Sequence, residues 1–188
     1  NTVITLCILL ALNAGVVYSQ VSYSWRYYRP SNTGIQGDYN EAIWIGPDGD
    51  PYIGGYEPAF QEGGFAKFVQ AEDRWINYSN VDYPVIGHPD LTGCVTVSDI
   101  VADSDGKLWL GTGRGALGFD PAVGGSSILN YGPQNSRLPG GWTSDVDIAP
   151  DGTVWFASIG VFYGGGGITR YRPSTGTLRN RRRPVGHG

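Results

Sequence analysis

The chain has no methionine, two cysteines, two histidines and only 16% charged residues in a length of 188. Each scarcity excludes something. Cys7 lies inside an apolar N-terminal run, so Cys94 stands alone in the rest of the chain, with no partner for a disulfide and no spacing for a metal. Cys94 therefore reads as a small core residue. The histidines, His88 and His187, offer little material for acid–base chemistry, and the second sits in the C-terminal tail. Beyond residue 20 no stretch holds an apolar period of 3.6 long enough to make a helix, which leaves an all-β chain.

What is abundant fits that class. There are 30 glycines, and 13% of the residues are aromatic, a composition of short strands joined by tight turns. The length is enough for one domain with a core of its own. The formal net charge of −4 is uneven: Arg179, Arg181, Arg182 and Arg183 fall in the last ten residues, which hold no acid. The acidic remainder argues against a nucleic-acid surface. The tail, residues 179–188, reads either as a basic interaction segment or as the ragged, disordered end of an incomplete chain.

Val3 to Val17 (VITLCILLALNAGVV) is almost wholly apolar, and Val17-Tyr18-Ser19 then supplies small residues where a signal peptidase cuts. Residues 1–19 read as a secretory signal with Gln20 as the mature start; the alternative is a buried apolar strand or helix. The run is short for a membrane span, so none is expected in the mature chain. With no initiator Met and no basic segment ahead of it, the chain as given is expected to open inside the signal. Such a signal implies a secreted, periplasmic or extracellular protein.

Self-similarity organises the remainder, residues 20–178. Three segments share one grammar: an alternating apolar run, an Asp-Gly pair, a short apolar run and a Gly-led aromatic run. The first holds Trp44-Ile45-Gly46-Pro47-Asp48-Gly49 and Pro51-Tyr52-Ile53; the second holds Asp105-Gly106 and Lys107 to Thr112 (KLWLGT); the third holds Asp151-Gly152 and Thr153 to Ser158 (TVWFAS). Gly64-Phe65, Gly115-Ala116 and Gly167-Ile168 open equivalent third strands. Ser24 to Tyr28 (SWRYY), Arg74 to Tyr78 and Ser127 to Tyr131 occupy a fourth position. The turns Pro30 to Ile35 and Pro133 to Pro139 resemble one another. Periods of roughly 40–50 residues with four short strands each are those of β-propeller blades. Each Asp-Gly pair should close the hairpin between first and second strands, because glycine tolerates the positive φ of such turns. Trp44, Trp109 and Trp155 should pack between blade faces. The expected fold is a β-propeller fragment of four-stranded antiparallel blades, about three in number, the third without its last strand and Ser24 to Tyr28 an orphan outer strand. The remaining blades of a longer chain would then be its first partners.

The string Asp99 to Thr112 (DIVADSDGKLWLGT), with Trp75-Ile76-Asn77-Tyr78 and Asn135-Ser136-Arg137-Leu138-Pro139, resembles the two-component regulator propeller repeat. Asp151 to Ser158 is also similar to the repeat of streptogramin lyase-like propellers. The first copy departs by carrying Tyr52 where the others carry Trp, and the third lacks Gly-Thr. The resemblance implies a sensor module that binds a ligand outside the cytoplasm.

Propeller ligands bind where loops converge on one face. The loops opposite the Asp-Gly turns contribute Tyr56, Phe60, His88, Arg114, Trp142, Phe162 and Tyr163, aromatic platforms beside polar groups that suit a carbohydrate, peptide or other small ligand. These residues read equally as the covering of ordinary long loops. No catalytic set stands out, and no cofactor is implied. A lyase or glycan-active enzyme would draw on His88, Glu57, Glu62 or Asp90, at no diagnostic spacing, and a structural or adhesive module is a third reading. Asp103-Ser104-Asp105-Gly106 resembles the start of a calcium loop but lacks the distal Glu, so no metal site is expected and a structural turn is. Asn77-Tyr78-Ser79 forms a glycosylation sequon inside a predicted strand.

Overall fold

The computed structural model describes residues 24–56, 62–87, 95–160 and 165–181. Blade one is β1 (Tyr39–Ile45), β2 (Pro51–Tyr56), β3 (Gly63–Val69) and β4 (Arg74–Ser79), antiparallel and in that order. Blade two is β5 (Val97–Ala102), β6 (Leu108–Thr112), β7 (Gly115–Phe119) and β8 (Leu129–Tyr131). Blade three is β9 (Trp142–Ile148), β10 (Val154–Ile159), β11 (Gly167–Arg172) and β12 (Thr177–Arg181). A single parallel pair, Gly115 with Trp142, joins blades two and three into one continuous sheet. The first strands of the blades lie side by side, β1 against β5 and β5 against β9. This is a β-propeller whose sheets do not close into a ring.

The hairpins form where the Asp-Gly pairs stand. Gly49, Gly106 and Gly152 take φ of 84°, 81° and 76°, and their N–H groups donate to the carbonyls of Gly46, Asp103 and Ala149 at 2.9–3.0 Å. That backbone conformation is the one glycine adopts without a Cβ penalty. Each first strand also carries a bulge at the same place, leaving Glu41, Ser98 and Ser144 without a register partner on the second strand. An extra residue there bends the strand and increases its twist.

Alternation along the second strands decides which neighbour each residue meets. Leu108 and Leu110 pack with Tyr52, Phe65, Ile100 and Phe119 between blades one and two. Trp109, between them in sequence, points the other way and packs with Val146, Val154 and Phe156 of blade three. Tyr52 takes the equivalent place in blade one and is 3% exposed, so the Tyr-for-Trp departure keeps its role. Trp44 is partly buried against the first cluster. Trp155 departs from the expectation: it is 40% exposed, because no described blade covers the outward face of blade three.

Two strand expectations are corrected. Blade three does have a fourth strand, since β12 pairs with β11 from Ile168–Arg181 to Arg172–Thr177. Residues 24–29 form no strand; an outer strand needs a third strand beside it, and none flanks this segment among the described residues. It is held instead by the Arg26 guanidinium, which donates to both Asp73 carboxylate oxygens at 2.7 and 3.0 Å. Tyr28 packs on Phe68 and Trp75 with ring centroids 5.1 and 5.4 Å away. The following turn repeats the one after β8. Asn32 Oδ1 accepts from Arg29 N–H and its amide donates to Tyr27 O, as Asn135 Oδ1 accepts from Gly132 N–H and its amide donates to Asn130 O. Thr33 and Ser136 hydroxyls then donate to Arg29 O and Gly132 O, both at 2.6 Å, and Ile35 and Leu138 turn inward, 6% and 2% exposed.

Candidate functional site

The first strands begin on one face, at Tyr39, Val97 and Trp142, and run toward the Asp-Gly turns on the other. The segments joining second to third strands, and one blade to the next, therefore return to the first face. Three of the seven candidate residues are described there: Tyr56, Arg114 and Trp142. Phe60, His88, Phe162 and Tyr163 lie outside the described residues, as do Cys94, Glu57, Asp90, the signal-like segment and the tail from 182 onward.

Tyr56 ends β2 directly opposite Tyr39, and the two rings stack at 5.2 Å with 19° between their planes. Tyr39 is 51% exposed, so the stack offers an aromatic surface to solvent. Sequence reading missed Tyr39. Its signal was present, in that a first-strand residue must stand opposite Tyr56, but locating it required the bulge at Glu41.

Arg114 sits in the tight turn between β6 and β7. Its backbone N–H donates to Thr112 Oγ1 at 3.1 Å, that hydroxyl donates to Gly115 O, and Gly113 N–H donates to Thr96 O at 2.9 Å. The turn is locked and Arg114 is only 5% exposed, which makes its guanidinium a support under the face more than a reaching arm. The next residue, Gly115, pairs with Trp142, so Arg114 and Trp142 are brought together from distant sequence. Trp142 also opposes Ile159 of β10 and is half-buried. Tyr56 stands apart from this pair, on blade one.

Below the face, the inner strands are tied by an acid and a serine. Asp99 Oδ2 accepts from Val146 N–H at 2.8 Å and Oδ1 from its neighbour Ile100 N–H, and Ser98 Oγ donates to Thr143 O at 2.6 Å. Burial pushes the Asp99 carboxyl above the usual carboxylate range; the two N–H donors oppose this, and Asp145 nearby reinforces it. Asp103 is likewise a structural carboxylate. Its oxygens accept from the N–H groups of Asp105 and Lys107 and from Trp109 Nε1, which fixes the turn and the tryptophan together. Among the described residues no three His, Cys, Asp or Glu side chains gather as a metal site. No helix among them is long and apolar enough to cross a membrane.

Comparison with known proteins agrees with this architecture. Residues 91–114 match the two component regulator propeller repeat, so the middle copy is a repeat of that kind. Of solved structures, the chain is similar to the extracellular domain of a hybrid two component system from B. thetaiotaomicron, at 19% identity and a TM-score of 0.62 over 84% of this chain and 19% of that one. It is similar to the extracellular domain of a one component system from the same organism, at 14% identity and TM-score 0.57 over 81% of this chain and 18% of that one. It also resembles PorZ, a surface component of the type-IX secretion system of Porphyromonas gingivalis, at 18% identity and TM-score 0.56 over 81% of this chain and 20% of that one. The chain thus spans about a fifth of the length of each. No protein of curated function matches it.

Proposed function

We propose that this chain is a noncatalytic recognition module of an exported sensor, taking a carbohydrate, peptide or other small ligand on the face where the first strands begin. The observation that carries the reading is the Tyr39–Tyr56 stack, an exposed aromatic surface beside the strand starts. Such flat apolar faces suit sugar rings and peptide side chains. The half-buried Trp142 over the locked Arg114 turn adds a second aromatic group on the same face. The two extracellular domains it resembles support an extracellular setting.

The open outward faces of blades one and three support a second part of the reading, that further blades pack there. Ile43 is 68% exposed where its counterparts Ile100 and Val146 are each 3% exposed.

The test is binding of the chain to glycan and peptide arrays beside Tyr56→Ala and Trp142→Ala variants. Binding lost in either variant supports the assignment. Binding indifferent to both would move the site elsewhere, and turnover of a bound glycan would replace the module with an enzyme.

A further inference from the structure

The three Asp-Gly hairpins share one backbone and differ in what holds the aspartate. Each is a four-residue turn closed by its glycine N–H: Gly46 to Gly49, Asp103 to Gly106 and Ala149 to Gly152. In blades one and three the second residue is proline, Pro47 or Pro150, whose ring fixes φ where such turns favour it. Blade two has Ser104 there. The aspartate comes third and is exposed in all three turns.

Asp48 is held at both carboxylate oxygens. Oδ1 accepts from Asp50 N–H at 3.1 Å, and Oδ2 lies 2.7 Å from the Lys67 ammonium. Asp151 repeats this, with Oδ1 accepting from Thr153 N–H at 3.0 Å and Oδ2 lying 3.5 Å from Arg172. In blade two the matching N–H, that of Lys107, goes to Asp103 Oδ1 instead, at 3.0 Å. Asp103 stands where the other turns carry Gly46 and Ala149, which have no carboxylate to offer. The Lys107 ammonium lies 4.7 Å over the Trp109 ring. Among the described residues, no hydrogen bond or ion pair holds the Asp105 carboxylate. Blade two packs against a neighbour on each side, so this difference does not come from an open blade face.

An aspartate followed by glycine carries its own reaction, because no side chain on glycine obstructs approach to its nitrogen. The Gly nitrogen attacks the Asp Cγ. An N–Cγ bond forms, the Cγ–O bond to the hydroxyl breaks, and the hydroxyl leaves with the N–H proton as water, giving a five-membered succinimide. Water then adds at either ring carbonyl. Opening at Cγ restores aspartate. Opening at the main-chain carbonyl carbon breaks its bond to the glycine nitrogen and leaves isoaspartate, whose chain runs through the β-carbon. The attack needs a mobile carboxyl, and the protonated form reacts faster than the carboxylate. Hydrogen bonds from Lys67 and Thr153 hold the Asp48 and Asp151 carboxyls below the usual carboxylate range, so both stay ionised as well as fixed.

We propose that Asp105 is the site at which this chain is spontaneously modified to isoaspartate, while Asp48 and Asp151 are protected by their held carboxylates and the prolines before them. The modification adds a methylene to the backbone inside the turn that Asp103 ties at three points, to Asp105 N–H, Lys107 N–H and Trp109 Nε1. A reaction at the surface is thereby connected to the tryptophan buried between blades two and three.

The experiment ages the whole chain for weeks at neutral pH and body temperature, natively and in urea, and reads isoaspartate at each Asp-Gly pair by electron-transfer fragmentation of its peptides. Natively, isoaspartate at Asp105 should accumulate several times faster than at Asp48 or Asp151. In urea, where the carboxylates lose their partners, the three rates should converge. Ser104→Pro copies the other two turns; it should slow the native reaction at Asp105 severalfold and melt at or above the temperature of the parent. The proposal is overturned by native rates at Asp48 or Asp151 that equal the rate at Asp105, or by no isoaspartate at Asp105. A preference for Asp105 that persists in urea would also overturn it, since local sequence and not the folded turn would then set the rate, as would a folded Ser104→Pro chain that ages as fast as the parent.

Discussion

Trp109 and Trp155 occupy the same place in successive blades, yet Trp109 is fully buried and Trp155 is 40% exposed. The difference lies in what stands opposite. Trp109 meets Phe156 and Tyr171 of blade three at centroid distances of 6.2 and 5.2 Å, and Asp103 holds its indole N–H. Trp155 has Arg170 beside it and no described blade beyond.

The pair therefore separates under mutation. Trp109→Ala leaves a cavity between two blades and takes the indole donor from Asp103 Oδ2, and should cost about 3–5 kcal/mol. Trp155→Ala should cost about 1 kcal/mol or less, as for a surface site. Urea unfolding followed by circular dichroism measures both without relying on the deleted fluorophore. Equal losses would mean that blade three is covered in solution.

Asp99 links the inner strands of blades two and three, and its carboxyl is raised by burial. The folded chain then holds this proton more tightly than the unfolded one does. The stability it contributes is complete below the unfolded carboxyl value, about 4, and is lost as pH rises through the higher folded value. In Asp99→Asn the amide offers one acceptor oxygen for two N–H donors, so the variant should be about 1 kcal/mol less stable at pH 4. The gap to the parent should narrow as pH rises toward 7. Urea midpoints at pH 4, 5, 6 and 7 test this; a gap constant with pH would show that Asp99 titrates normally in the fold.

Asn135 closes the turn that leads from β8 to blade three, accepting from Gly132 N–H at 2.6 Å and donating to Asn130 O at 2.8 Å. Asn135→Ala should cost about 1–2 kcal/mol, since both bonds go. Asn135→Asp keeps the acceptor and loses the donor, and should fall between Ala and the parent. Thermal melts of the three proteins give the order, and an Asp variant as weak as Ala would mean that the Asn130 contact dominates.

These interactions also mark where sequence was readable. The Asp-Gly pairs announced their hairpins because the turn depends on one glycine and its immediate neighbours. Asn135 and Leu138 were legible as a turn resembling the one at Asn32 and Ile35, because Pro133 and Pro30 stand in the same place, directly after the residue whose N–H the asparagine accepts. β12 was not legible, because Thr177–Arg181 holds four polar residues and a single Leu, with no alternation to mark a strand; its pairing with β11 makes it one. Residues 24–28 look like a strand by composition, yet pairing is not local and no third strand flanks them among the described residues. Arg114 stands out in sequence as a loop cation, while its burial beside Trp142 depends on a parallel contact between blades that no local pattern encodes.

The exposed blade faces give the last prediction. On blade one, Ile43 is 68% exposed and Ile45 56%; on blade three, Trp155, Ile159 and Ile168 are 40%, 48% and 48% exposed. Ile100 and Trp109, the counterparts of Ile43 and Trp155 inside the stack, bury against neighbouring blades, so both open faces keep the chemistry of an interface. Contiguous apolar surface of this kind drives association between chains. The chain should therefore self-associate with concentration, and the double substitution Ile43→Lys/Trp155→Lys should suppress it by placing charge on both faces. Because neither side chain is buried, the double variant should stay within about 1 kcal/mol of the parent's unfolding free energy. Sedimentation velocity over a range of concentrations measures the first effect and urea unfolding the second. Association that survives both substitutions would assign it to another surface. Unfolding of the variant at low denaturant would show that these two side chains already support the fold, contrary to their exposure.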